Sequence, residues 1–211
     1  MHTPKYFEEH SLSEKQALIR SQPLGSLITR SSAGLNANHI PFVYQDSPGP
    51  LGILQAHVPR FNSLLEDIED NGEVLVIFHG ANGYISPNWY ATKKESGKVV
   101  PTWNYQVLHV SGKPRIIDDR NWVLAQMETL TAQQEAGFAS PWQISDAPAD
   151  YTDKLLNSLL GLEISISRLD GKTKASQNQP AANRASVIAG LTEQGGDINK
   201  ALAAQVARKE C

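Results

Sequence analysis

Glu73-Val74-Leu75-Val76-Ile77-Phe78-His79 is the stretch that decides the fold. It is short, apolar and rich in β-branched residues, and Asp70-Asn71-Gly72 stands before it as turn chemistry. Such a run reads as a buried strand. Ahead of it, residues 25–29, 37–44 and 51–57 also read as strands, separated by turns at 31–34 and 46–50. Behind it, residues 80–83 read as a turn into 84–86, where Pro87 stops the ladder. Residues 103–111 alternate in strand fashion, Gly112-Lys113-Pro114 reads as a turn into 115–117, and residues 163–168 alternate cleanly. Helices are expected over 11–21, 61–69, 149–160, 185–191 and 197–208. A further helix is expected from Asp118 or Asp119, with Val123, Met127 and Leu130 at helical spacing. Residues 92–98 read as a charged, glycine-containing loop.

About seven short strands joined by turns imply antiparallel pairing, because parallel strands need crossovers of about a dozen residues or more. The expected class is mainly β with flanking helices, a closed or split barrel rather than a doubly wound α/β sheet. The 211 residues suit one domain, with a helical appendage over about 180–211.

Composition narrows the function. Forty per cent of the residues are hydrophobic, enough for a core, so disorder is excluded. The lone cysteine is Cys211, which argues against disulfides, Cys-based zinc sites and Cys catalysis. No apolar run approaches the roughly 20 residues of a membrane helix, and no secretory signal is visible, so a soluble cytoplasmic protein is expected. The net charge of −3 disfavours a dedicated nucleic-acid module, so DNA binding is possible but unsupported by charge.

The usual chemical motifs are missing. There is no G-x-G-x-x-G, no G-x-S-x-G and no H-E-x-x-H. Gly171-Lys172-Thr173 imitates the end of a P-loop, but Ile166 stands where its first glycine belongs. His57, His79 and His109 each fall in or at the end of an expected strand. They would meet around a metal only if those strands were neighbours, and no spacing ties them together.

What remains is aromatic and cationic. Residues 78–105 hold six of the fifteen aromatics, in Tyr84-Ile85-Ser86-Pro87-Asn88-Trp89-Tyr90 and Pro101-Thr102-Trp103-Asn104-Tyr105. Flat apolar rings among a few polar groups suit a binding pocket, and equally suit a core with polar turns. His57-Val58-Pro59-Arg60-Phe61-Asn62 places Arg60 and Asn62 at a helix N-terminus, where a guanidinium and free N–H groups suit an anion. Residues 168–184 hold Arg168, Lys172, Lys174 and Arg184 against Asp170, a local charge of +3 beside Ser176, Gln177 and Asn178. An aromatic pocket with a phosphate grip suits FMN; composition does not separate it from pyridoxal phosphate or a nucleotide.

Four motifs carry a resemblance. Tyr84 to Tyr90 (Y-I-S-P-x-W-Y), Val100 to Tyr105 (V-P-T-W-N-Y), the H-x-x-R-x-N turn from His57 to Asn62, and K-x-S-Q-N from Lys174 to Asn178 occur together in order. In this the chain resembles the PaiB-like family of FMN-binding negative transcriptional regulators, itself similar to pyridoxamine-phosphate-oxidase-type flavoproteins. The resemblance implies a six-stranded antiparallel split β-barrel that forms a homodimer, with FMN at the interface. It implies that His57, Arg60 and Asn62 hold the phosphate, and that Tyr84, Ser86, Pro87 and Trp89 lie near the ring. Thr102, Trp103 and Asn104 with Lys174, Ser176, Gln177 and Asn178 then complete the site, some from the partner chain. Two positions depart from the pattern: Pro59 replaces an expected alanine, and Gln179 an expected basic residue. The role implied is regulatory, as a negative transcriptional regulator or a flavin-dependent sensor. The alternative is a flavin-dependent oxidoreductase, for which only Tyr90 and His109 offer themselves as acid or base.

Overall fold

The computed structural model describes residues 1–32, 34–46, 49–70 and 72–208. The turn readings at 31–34, 46–50 and 70–72 include residues outside this set, and Cys211 lies outside it too.

Eight strands form one sheet: β1 (Glu8–Glu9), β2 (Leu24–Ser31), β3 (Gly34–Pro41), β4 (Val43–Gln45), β5 (Ile53–Pro59), β6 (Val74–Ile85), β7 (Thr102–Ile117) and β8 (Leu159–Lys174). Their order is β3-β2-β6-β7-β8-β5-β4, with β1 beside β8. The pairs β1/β8, β2/β3, β2/β6, β4/β5 and β5/β8 are antiparallel. Among the described residues seven α-helices flank them: α1 (Leu12–Ser21), α2 (Leu64–Asp70), α3 (Lys93–Ser96), α4 (Arg120–Glu135), α5 (Ala149–Asn157), α6 (Ala181–Gln194) and α7 (Asp197–Arg208). This is the expected mainly antiparallel β class with helices at its flanks. The strand count is eight rather than six.

β1, which no sequence signal marks, and β4, which separates from β3 at Phe42 within the 37–44 reading, add to the count, while three other strands run farther than their sequence signals. Residues 80–83 do not turn but continue β6 to Ile85. A Cβ on Gly83 would sit 2.7 Å from the Leu202 side chain of α7, so this glycine permits a close approach. Gly112 does the same inside β7, where a Cβ would come within 2.5 Å of the Ser165 carbonyl on the neighbouring strand. The helix expected over 149–160 stops at Asn157, and β8 begins at Leu159 and runs through Lys172 to Lys174. Within the charged loop at 92–98 the single-turn helix α3 closes on Gly97, whose φ is +64°.

Contacts divide the chain into two compact units. The larger holds residues 16–78 and 109–169; the other holds 1–15, 79–108 and 170–211. In the larger unit the strand faces bury Leu27, Phe42, Leu54, Val76, Phe78, Leu162 and Ile164. Phe42 and Phe78 meet edge to face at 6.0 Å, a pairing that contributes about 0.5–1.5 kcal/mol beyond burial. α4 starts on Asp119, whose carboxylate accepts from the Asn121 and Trp122 amides, and it buries Val123 against Leu156 and Leu159. In the other unit Ile85, Tyr90, Ala175, Val187, Leu191, Leu202 and Val206 form a separate core. Among the described residues no helix is long and apolar enough to cross a membrane.

Candidate functional site

Eleven of the fourteen expected site residues fall in the unit formed by 1–15, 79–108 and 170–211; His57, Arg60 and Asn62 fall in the other.

In the first, β7 and β8 bring two motifs 72 residues apart into contact. Lys174 Nζ donates to Thr102 Oγ1 at 2.5 Å, and the buried Asn104 amide donates to Ser176 Oγ at 2.9 Å. Ser176 takes a φ of +59°, left-handed backbone rarely adopted by a residue with a side chain, as the chain leaves β8. The Asn104 amide oxygen is buried with no hydrogen-bond partner among the described residues. Either orientation of the amide strands one of its ends, and a buried orphan of this kind costs about 1–3 kcal/mol unless something else meets it. Lys174 also stands 5.9 Å over the Phe7 ring, and neighbouring Lys172 lies 5.2 Å over the Tyr105 ring and donates to the His2 carbonyl. Gln177 is spent locally: its amide accepts from the Ala175 N–H and donates to the Thr173 carbonyl. Asn178 is exposed.

The aromatic segment divides. Tyr84 and Trp103 are each 50 % exposed, and their rings meet edge to face at 6.3 Å, with the Trp103 N–H donating to Asn82. Each leaves an aromatic ring open to solvent. Trp89 instead lies on α6: a Cβ on Gly190 would come within 2.6 Å of its indole. Ser86 accepts from the Asn88 amide and caps the short turn that Pro87 begins. Tyr90 is core, and burial pushes its phenol above the ordinary value, away from acid–base duty near neutrality.

In the larger unit the H-x-x-R-x-N turn closes β5. Arg60 forms a forked ion pair with Asp118 and gives its Nε–H to the Asn157 carbonyl at 2.9 Å. The pair holds the Asp118 carboxyl below its usual range, chiefly through the hydrogen bond. Asn62 accepts from the Leu64 amide and caps α2. His57 is half-buried, its Nδ1 2.7 Å from the Gln126 Oε1 of α4. Two partners escaped the sequence reading. Asp118 reads from sequence only as a cap, and Gln126 carries a usable signal: a polar residue three positions after Val123, inside the apolar stripe of a helix. Among the described residues, no group of three His, Cys, Asp or Glu could hold a metal.

Residues 1–168 match the family described as "Putative FMN-binding domain". The uncharacterized protein AN0679 of Emericella nidulans is 37 % identical over 92 % of this chain and 92 % of its own. The protease synthase and sporulation protein PAI 2 of Bacillus subtilis is 24 % identical over 96 % of this chain and 95 % of its own, which is the PaiB likeness read from the motifs. A solved structure, the FAD and heme binding protein from Mycobacterium smegmatis, shares the fold at a TM-score of 0.60 with 15 % identity, over 79 % of this chain and 73 % of that one. FMN pairs a flat apolar ring with a phosphate and several hydrogen-bond donors. The residues present fit it: a lysine with two hydroxyls for an anion, an open aromatic pair for the ring, and a buried amide oxygen wanting a donor. With the family matched over most of its length and the donor set in agreement, the chain belongs to the FMN-binding domain family.

Proposed function

We propose that the chain is a regulatory flavoprotein of the PaiB type: a flavin-dependent sensor with a negative role in transcription, working in the cytoplasm as a homodimer whose flavin site is shared between two copies. The four motifs that resemble the PaiB-like regulators, together with the likeness to PAI 2 over nearly the whole chain, support the regulatory role. The observation that carries the flavin site is the pair of hydrogen bonds joining Lys174 to Thr102 and Asn104 to Ser176, which unites two motifs distant in sequence around one cation and an unmet amide oxygen. In this reading Lys174, Thr102 and Ser176 hold polar parts of the flavin, with Gln177 bracing the turn and Asn178 at its rim. Tyr84 and Trp103 offer the ring an apolar face, and Ser86, Pro87 and Trp89 set that segment's path. His57, Arg60 and Asn62 form the phosphate-holding turn, where Arg60 keeps donors beyond those given to Asp118 and Asn157. Bound FMN supplies a redox centre of one or two electrons. The described cations of α7 do not form a basic reading helix: Lys200 pairs with Asp197 at its first turn. Regulation through a partner protein is therefore favoured over direct contact with DNA.

The test is a visible spectrum of protein incubated with FMN and desalted, together with its mass in solution. Flavin bands retained on a dimer are expected, without steady-state oxidation of NADH or NADPH. A colourless protein that leaves FMN fluorescence unquenched overturns the flavin site. Sustained turnover replaces the sensor with a flavin-dependent oxidoreductase, and a sequence-selective, salt-sensitive DNA complex restores direct repression.

A further inference from the structure

Gln126 stands where helical spacing calls for an apolar residue, and it is 3 % exposed. Burying an amide is unfavourable unless both of its ends are met. Here both are. Its Nε2 donates to the Gln55 carbonyl at 3.4 Å, and its Oε1 lies 2.7 Å from His57 Nδ1. The Gln55 contact decides the orientation, because the reversed amide would set oxygen against a carbonyl oxygen. Facing His57 with an acceptor, Gln126 requires a proton on Nδ1. His57 Nε2 has no partner among the described residues, and the ring is half-buried, so Nε2 is the nitrogen left to meet a ligand.

We propose that Gln126 is the positioning residue of His57: it holds the imidazole by its Nδ1–H, so that a ligand phosphate is accepted at Nε2 only when Nε2 carries a proton. The inference rests on the reading of His57 as part of the phosphate-holding turn. A neutral His57 would set the Nε2 lone pair against a phosphate oxygen, whereas the imidazolium donates a charge-assisted hydrogen bond. The proton comes from solvent as the phosphate binds, so affinity is greater at the lower pH. The charged groups on the surrounding elements are already matched. Glu163 of β8 pairs with Arg115 of β7 and accepts from Gln55, Arg60 pairs with Asp118, and Arg120 of α4 pairs with Asp153. Asp119 caps α4, and over Gly161 on β8 lies the neutral Trp122.

The experiment measures FMN affinity at pH 6 and pH 8 for the wild type, Gln126→Leu, Gln126→Glu, His57→Ala and the His57→Ala/Gln126→Leu double variant. The ring-nitrogen NMR shifts of His57 are read on ligand-free wild type. The expected results are a neutral His57 protonated on Nδ1, and an affinity loss of about tenfold at pH 6 in Gln126→Leu, the worth of one good hydrogen bond. That loss vanishes in the His57→Ala background, and Gln126→Glu, which stabilises the imidazolium, keeps tight binding at pH 8. Gln126→Glu also serves if the leucine variant fails to fold. An equal loss with and without His57, or a neutral His57 protonated on Nε2, overturns the proposal. Failure of the flavin reading looks different: the wild type then binds no FMN at either pH, which removes the ligand step whatever the ring nitrogens show.

Discussion

Arg60 shows what a single residue discloses from sequence and what it hides. Its type and its place in the turn after a strand were legible, though α2 begins only at Leu64 rather than beside it; its bond to Asp118, 58 positions away, was not, because nothing local ties them. The pair gives a pH prediction. Arg60 lowers the Asp118 carboxyl, so the pair's stabilisation is fully present above the usual carboxylate range and is lost as pH falls through the lowered value. Asp118→Asn removes it. The urea midpoints of wild type and Asp118→Asn are expected to differ by a constant amount from pH 8 to about 5 and to converge as pH falls through the lowered carboxyl value. A gap that persists at low pH would show that the pairing charge is not its source. Gly190 gives a second residue-scale prediction. Gly190→Ala forces a Cβ into the Trp89 indole, and overpacking of this kind costs about 1–3 kcal/mol. Chemical denaturation reads the cost. FMN affinity at Trp103 and Lys174 is expected to hold, since Trp89 serves as packing for α6 rather than as a face for the ring.

At the scale of elements, the strands were legible wherever apolar residues alternated and were lost where glycine was read as a turn. Residues 80–83 and 112–114 carry turn chemistry by composition, yet Gly83 and Gly112 are there because Leu202 and the Ser165 carbonyl approach too closely for a side chain. Close approach is a tertiary fact that a local pattern does not contain. The same limit hid the end of β8, because the alternation that reads as a strand stops at Arg168, short of Lys172 and Lys174. In the structure they are strand residues whose ammonium groups lie over Tyr105 and Phe7. Of the two aspartates offered as the cap of α4, Asp119 takes that role and Asp118 turns to Arg60. Asp119→Ala is expected to cost about 1 kcal/mol, the usual worth of an N-cap, measured by denaturant unfolding. Because α4 carries both Trp122 and Gln126, the loss is expected to spread to the helix's first turn in hydrogen exchange and not to β2 or β3.

At the scale of the whole molecule, the motifs identified the family, while the division of the expected site residues between two compact units had no counterpart in the linear sequence. A ligand that binds only the folded state reports on the site as a whole through mass action. FMN at a hundred times its dissociation constant adds about 2.7 kcal/mol. For a chain of this size about 1 kcal/mol moves the midpoint by about 2–4 °C, so a rise of about 5–11 °C is expected. Riboflavin has the same ring without the phosphate. If Lys174 and Arg60 supply the phosphate grip, riboflavin at the same concentration moves the midpoint by less than about 2 °C. Lys174→Ala then brings the FMN shift down toward the riboflavin value and leaves the ligand-free midpoint close to that of the wild type, since Lys174 is half-buried and its one strong partner is a hydroxyl. Equal shifts from FMN and riboflavin would mean that the ring alone is recognised. Tyr84 and Trp103 would then carry the binding, and the cations of β8 would be strand residues whose charge serves only the protein's own rings.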